Sequence, residues 1–271
     1  MTETRPLALV TGASSGIGFE IAKQLHARGC DLVIAAEDKA IESAAAAIGP
    51  GATEVRAVQV DLCTADGVER LYSAVTEDGR GLDVAVLNAG VGRGGLFIET
   101  TLGDELDIVD LNVRSTVHLT KLLARDMAKR GAGKLLFTAS IAATMPGPRQ
   151  AVYNASKSFV LSFAEALREE LRPSGITVTA LLPGPTDTDF FRRAKLLATR
   201  IGQGPKDDPA DVARQGVEAL FDNQRKVFAA SLAVKAAGLI NTVLPDPVKA
   251  KLNQVMSRPT GYAAESTPRH R

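Results

Sequence analysis

Short runs of β-branched and aliphatic residues alternate along this chain with stretches of helical periodicity, and no other feature limits its possible folds so tightly. The runs are Leu7 to Thr11, Asp31 to Ala36, Val55 to Val60, Val84 to Asn88, Lys134 to Ala139 and Thr177 to Leu182, each bounded by turn residues. Between them lie Ile17 to Arg28, Ala40 to Ile48, Ala65 to Glu77, Asp104 to Lys129 and Val152 to Arg172, all with helical spacing of apolar residues. Strand and helix in strict succession imply right-handed βαβ units and an α/β fold whose parallel sheet is covered on both faces. A seventh run, Lys226 to Ala230, follows a helix from Ala210 to Phe221 that opens on Asp207-Asp208-Pro209, which completes a doubly wound sheet.

The 271 residues are 45% apolar, enough for one core, and a single domain over residues 1–256 is expected. The turn-rich stretch 183–209, with Phe190 and Phe191 inside it, is too long for a mere connection and reads as a substrate lid. A C-terminal extension spans 231–256: an apolar, helix-compatible segment from Leu232 to Leu244, then a break at Pro245 to Pro247 and a short helix to Met256. The tail 257–271 is rich in Pro, Gly, Thr and charge and is expected to be disordered.

Charge excludes some partners. With 32 basic and 31 acidic side chains there is no field of one sign to capture nucleic acid. No apolar stretch reaches the roughly 20 residues that span a bilayer, and Met1 to Pro6 lacks the apolar core of a signal peptide. Cys30 and Cys63 read as buried free thiols in a reducing compartment, so a cytoplasmic location is expected. No metal site is expected.

Thr11-Gly12-Ala13-Ser14-Ser15-Gly16-Ile17-Gly18 sits between the first strand and the first helix. Glycines there allow a tight turn, bring backbone N–H groups to a pyrophosphate and let the helix pack closely on the strand, as in a Rossmann-type dinucleotide site. The same letters spell G-x-S-x-G, which raises a serine hydrolase with Ser14 as nucleophile. That reading needs a downstream acid and histidine. The histidines that follow are His118, inside a helical run, and His270, in the tail, and the motif comes too early for a nucleophile elbow.

Tyr153 and Lys157 stand four apart at the start of a predicted helix and share one face. A free phenol, with a pKa of about 10, is a poor base near neutrality, and an adjacent ammonium favours its ionised form, as proton exchange with a carbonyl or carbinol oxygen requires. Read blandly, the pair is a surface tyrosine lying on a lysine stem. Ser140 ends the fifth strand, at the edge where ligands bind in an open parallel sheet, which suits its hydroxyl to hold the reacting oxygen.

Together Thr11 to Gly18, Asn88-Ala89-Gly90, Asn112, Ser140, Tyr153-x3-Lys157 and Pro183-Gly184 with Thr188 resemble the short-chain dehydrogenase/reductase family in order and spacing, over residues Pro6 to Phe191. The resemblance implies hydride transfer between NAD or NADP and a carbonyl or secondary alcohol, with Tyr153 as general acid or base. It further implies that Lys157 binds the nicotinamide ribose and lowers the tyrosine pKa, that Ser140 hydrogen-bonds the substrate oxygen, and that Asn112 holds a water relaying protons from Lys157. From the residues alone, Asn112 is equally a polar residue at a helix irregularity. The cofactor-binding set that the resemblance implies is Gly12, Ser14, Ser15, Gly16, Ile17, Gly18, Glu37, Asp61, Leu62, Asn88, Ala89, Gly90, Tyr153, Lys157, Pro183, Gly184, Thr186 and Thr188. The rival from another class is a dinucleotide-binding sensor or scaffold without turnover.

The second strand ends in Ala35-Ala36-Glu37-Asp38-Lys39. A carboxylate at Glu37 suits free ribose hydroxyls and repels a 2′-phosphate, so NAD is favoured, although Ala36 departs from the acid of the family pattern and Lys39 is within reach of a phosphate. Val91 to Phe97, Ile141 to Met145 and Thr186 to Ile201 border a mainly aliphatic cleft, which suits a mostly apolar substrate. Arg93, Arg149, Arg192 and Arg193 in these loops offer partners to an anionic substrate, but arginine in a surface loop is more often solvated, which is the reading favoured. The helix from Val152 is apolar nearly all round, and the family implies a homodimer or homotetramer built on it and its neighbour.

Overall fold

The computed structural model describes residues 5–49, 53–229 and 245–260. Its strands are β1 (Leu7–Thr11), β2 (Asp31–Ala36), β3 (Val55–Gln59), β4 (Val84–Leu87), β5 (Gly133–Thr138), β6 (Ile176–Pro183) and β7 (Lys226–Ala229). All pair in parallel, in the order β3-β2-β1-β4-β5-β6-β7. The strand order reverses between β1 and β4, and there the doubly wound sheet opens a crevice at its carboxyl edge.

Every residue of β1, β2 and β4 is buried, as expected where helices cover both faces. Alternate side chains serve opposite layers. Leu9, Val33, Ala85 and Phe137 pack against α3 (Ala65–Thr76), α5 (Thr116–Arg130) and α6 (Ala151–Leu171). Val10, Ile34, Val86 and Leu181 pack against α1 (Gly16–Ala27), α2 (Ala40–Ile48) and the helix Pro209–Phe221. That last helix starts as its sequence announces, with the Asp208 side chain accepting from Ala210 N at 2.8 Å and Pro209 in its first turn.

Three strands end one residue earlier than the sequence suggests. Val60, Asn88 and Ala139 lie past β3, β4 and β5, where each turns to line the crevice. The continuous helix expected from Asp104 to Lys129 is divided: α4 (Leu102–Val109) runs into a π-helical turn, Asp110–Ser115, and then into α5. Such a turn carries an extra residue and is common at functional sites; here it holds Asn112.

The lid forms two short helices, α7 (Phe190–Arg193) and α8 (Arg200–Gln203); the helix Pro209–Phe221 is α9, and α10 spans Asp246–Met256. Ala230 and the expected helical segment Leu232 to Leu244 lie outside the described residues. The tail departs from expectation at its start. Ser257 is buried, Thr260 N donates to Ala198 O at 2.7 Å, and Thr199 bridges Pro259. No helix among the described residues is long and apolar enough to cross a membrane.

Candidate active site

A cleft of about 570 Å³ occupies the crevice. Gly12, Ser14, Ser15, Gly16, Ile17 and Gly18 form its floor. Gly12 has φ +65°, and a Cβ on Gly18 would lie 2.2 Å from Gly12 O, so the turn and the close packing of α1 both demand glycine. Ser15 stands at the N-cap of α1 without a side-chain cap bond, and the first turn holds no acid. The positive end of α1 and its free N–H groups are thus available to an anion, which fits a pyrophosphate.

Thr11 braces this loop. Its hydroxyl donates to Val86 O at 3.2 Å and accepts from Asn88 N and Ala89 N, both at 3.0 Å, while Asn88 Nδ2 donates to the carbonyl oxygens of Thr11 and Gly12. Glu37, Asp61 and Leu62 line one end of the cleft. Asp38 does too: it accepts from Ser14 Oγ at 3.1 Å and approaches Arg193 of α7 at 3.7 Å. Ala89, Gly90, Pro183, Gly184, Thr186 and Thr188 complete this wall, with the Thr188 methyl against Gly16.

Tyr153 and Lys157 rise one turn apart from the start of α6 and line the same cleft as the glycine loop. Ser140, just past β5, accepts from Ala142 N at 3.1 Å and lines the cleft beside Tyr153. The Phe190 ring lies 5.3 Å from that of Tyr153. Burial pushes the Tyr153 phenol up to about 12, against Ser140, which pulls it down. Lys157 donates to Thr138 O at 2.9 Å, and burial draws its pKa down to about 8. The pull of Lys157 on the phenol, expected from sequence, is not among the causes of that balance: desolvation governs both groups.

Asn112 is 1% exposed and does not line the cleft. Its Oδ1 accepts from Val91 N and its Nδ2 donates to Val91 O and to Ser156 Oγ, each at 2.9 Å; Ser156 Oγ in turn donates to Tyr153 O at 2.7 Å. Both amide hydrogens are therefore in use, and Asn112 ties the π-turn to the backbone beside Gly90 and to α6. Gly90 is the near neighbour of both Asn112 Oδ1 and Lys157 Nζ.

The remaining expected site residues all line the cleft. Among the described residues no histidine does, and Ser14 donates to a carboxylate, while His118 pairs with Glu69 at 2.8 Å on the outer surface, so the hydrolase triad is not assembled. Cys63 is only partly buried, contrary to expectation. Burial, with Asp61 beside it, lifts its thiol to about 12, and it is no nucleophile. Asp38 and Val60 also line the cleft, as do Lys249, Leu252, Asn253 and Met256 of α10, about a hundred residues beyond Ser140, and none of the six was expected there.

A parallel sheet with its crevice at the switch point, an uncapped glycine-rich turn and a buried phenol define a dinucleotide-binding α/β protein with acid-base machinery. The profile of the family described as short chain dehydrogenase matches residues 6–196. The 3-oxoacyl-[acyl-carrier-protein] reductase of Synechocystis is 36% identical over 189 residues, covering 69% of this chain and 76% of the relative. A short-chain dehydrogenase from Sphingobium yanoikuyae, solved in complex with NADPH, superposes with a TM-score of 0.78 at 27% identity, over 98% of this chain and 100% of that one. A 3-ketoacyl-(acyl-carrier-protein) reductase from Brucella melitensis, complexed with NADH, gives 0.75 at 28% identity, over 84% and 97%. The chain belongs to the short-chain dehydrogenase family, and it is an NAD(P)-dependent oxidoreductase acting on C=O or CH–OH groups.

Proposed function

We propose that this protein reduces a mostly apolar ketone or aldehyde with Tyr153 as the general acid, and that NAD(H) is its preferred dinucleotide. One observation carries the reading: Tyr153, Ser140 and Lys157 share a single cleft with the uncapped turn Gly12 to Gly18. A reduced nicotinamide, when bound in this cleft, would supply the hydride that the carbonyl carbon takes up. The chain's residues handle the oxygen. Ser140 donates a hydrogen bond to it, and the Tyr153 O–H bond breaks as its proton passes to the oxygen, giving the hydroxyl of the product alcohol. Burial favours the protonated phenol, the form that donates in reduction.

Lys157 has N–H donors beyond the one given to Thr138 O, and these suit the hydroxyls of a nicotinamide ribose. With the dinucleotide bound, we infer, its ammonium steadies the phenolate left after proton transfer, an interaction absent from the balance in the free protein, until solvent returns the proton. Asn112 acts as a positioning residue that fixes Val91 and α6 around Tyr153 and Lys157. Gly12, Ser14, Ser15, Gly16, Ile17 and Gly18 would hold the pyrophosphate, Asp61, Leu62, Asn88, Ala89 and Gly90 the adenine side, and Pro183, Gly184, Thr186 and Thr188 the carboxamide. Glu37 binds the adenosine ribose hydroxyls, and its carboxylate, with Asp38 next to it, opposes a 2′-phosphate.

Exposed apolar side chains, Leu102, Leu106 and Val117 on α4 and α5 and Phe159 on α6, support a homodimer or homotetramer joined through these helices. A cytoplasmic location accords with the free cysteines. Titration of the purified protein with NADH and NADPH, followed by a screen of ketones and aldehydes, tests the function. Saturable binding with turnover supports it; binding without turnover of any carbonyl returns the sensor reading, and binding of neither dinucleotide removes both.

A further inference from the structure

Beyond Tyr153 the cleft is closed by three pieces of chain. Met145 comes from the segment after Ser140, Phe190, Leu196 and Ile201 from the lid, and Leu252 and Met256 from α10. Helix α10 is strapped across this end. Asn253 Nδ2 donates to Pro146 O at 3.2 Å, and past its last turn Thr260 N and Arg200 N exchange bonds with Ala198 O and Arg258 O at 2.7 and 3.3 Å. The wall is mainly apolar, with Gln150 and Asn253 as neutral polar members, and α10 gives it one charged group. Lys249, three and seven residues before Leu252 and Met256 and hence on the same helical face, lines the cleft with them.

The side chain of Lys249 is only 11% exposed, unusual for lysine, and its ion partner, Asp246 at 3.1 Å, is 75% exposed. A solvent-facing carboxylate one turn away on the same helix is a weak counterion for an ammonium held among apolar walls. The other basic groups lining the cleft are engaged elsewhere: Lys157 with Thr138 O, and Arg193 with Asp38. The loop arginines considered from sequence also have carboxylates of their own, Arg93 with Asp104 and Arg192 with Asp189, both at 2.9 Å. The acids lining the cleft, Glu37, Asp38, Asp61 and Asp189, come from the strand-end loops and the start of the lid rather than from α10.

We infer that the substrate is an apolar ketone carrying a carboxylate at the end remote from the reacting carbonyl, and that Lys249 is the residue that selects it. One ammonium without an arginine fork matches a monoanion, not a phosphate. This rests on the carbonyl-reductase reading above.

The test compares kcat/KM for straight-chain oxo-carboxylates with that for their methyl esters, matched in length, in the wild type and in Lys249→Met and Lys249→Arg. The wild type favours the carboxylate by about tenfold or more, chiefly through KM, and added salt narrows the gap. Lys249→Met abolishes the preference while ester turnover persists, and Lys249→Arg restores most of it. Equal or better turnover of the esters by the wild type, or a carboxylate preference that survives Lys249→Met, overturns the inference. Ester turnover that Tyr153→Phe eliminates marks the parent reading as standing in that case; no turnover of either series beside turnover of other ketones overturns the inference alone, and no turnover of any carbonyl removes the parent reading itself.

Discussion

Lys157 Nζ is bound to the carbonyl oxygen of Thr138 at 2.9 Å, the last residue of β5, and not to the phenol of Tyr153 one turn away. The lysine is thereby fixed at the sheet edge, buried and without a carboxylate beside it, and its ordinary pKa of 10.5 falls to about 8. A protonated amine held there costs stability that a function must offset.

Replacing Lys157 by Met therefore raises stability in a pH-dependent way. Because the folded value lies below the unfolded one, the penalty is complete below about pH 8 and fades as the pH approaches about 10.5. After allowance for the lost bond to Thr138, Lys157→Met gains on the order of 1–3 kcal/mol at about pH 6.5 and little at about pH 10. Urea unfolding at the two pH values checks this, and a gain independent of pH removes the electrostatic explanation.

The same ionisation shapes turnover. If the Lys157 ammonium steadies the phenolate formed on proton transfer, carbonyl reduction declines as the pH rises past about 8, where the amine becomes neutral. Lys157→Arg, which stays charged, moves that decline to higher pH even if the rate is lower. A profile unchanged in shape by this substitution assigns the decline to another group.

Asn112 makes its three side-chain hydrogen bonds inside the protein. Asn112→Ala leaves the Val91 N–H and C=O without these partners and takes one donor from the buried Ser156 hydroxyl, a loss of roughly 2–3 kcal/mol. If Asn112 positions Tyr153 and Lys157, kcat falls more than dinucleotide affinity does. A stability loss with kcat intact reduces Asn112 to a purely structural part.

Glu37→Arg replaces the acid at the end of the cleft by a group suited to a 2′-phosphate. The ratio of NADPH to NADH dissociation constants is expected to shift by about tenfold or more toward NADPH, measured by nicotinamide fluorescence. No shift transfers the choice to Asp38 and its neighbour Arg193.

Much of this arrangement was legible in the residues because the strands are buried on both faces. β1 and β2 match the expected boundaries, since a continuous apolar run between turn residues has few other ways to be covered. Tyr153, Lys157 and Ser140 were legible because helical spacing and a strand end fix their relative positions locally. What escaped depends on distant chain. The π-turn at Asn112 leaves the apolar period intact, and its cause is the backbone of Val91. The helical pattern to Met256 was visible, but nothing in it says that Asn253 reaches Pro146 or that Lys249 enters the cleft. The acidity of Tyr153 likewise depends on how Phe190 and the lid exclude water, which spacing along α6 does not reveal.

The most direct measurement is the single-turnover rate of carbonyl reduction by Tyr153→Phe, taken beside its affinity for the reduced dinucleotide. The substitution removes the transferable proton and almost no volume. The account predicts affinity within a few-fold of the wild type and a rate lower by roughly 10² or more. A Tyr153→Phe enzyme that reduces its substrate at the wild-type rate contradicts it.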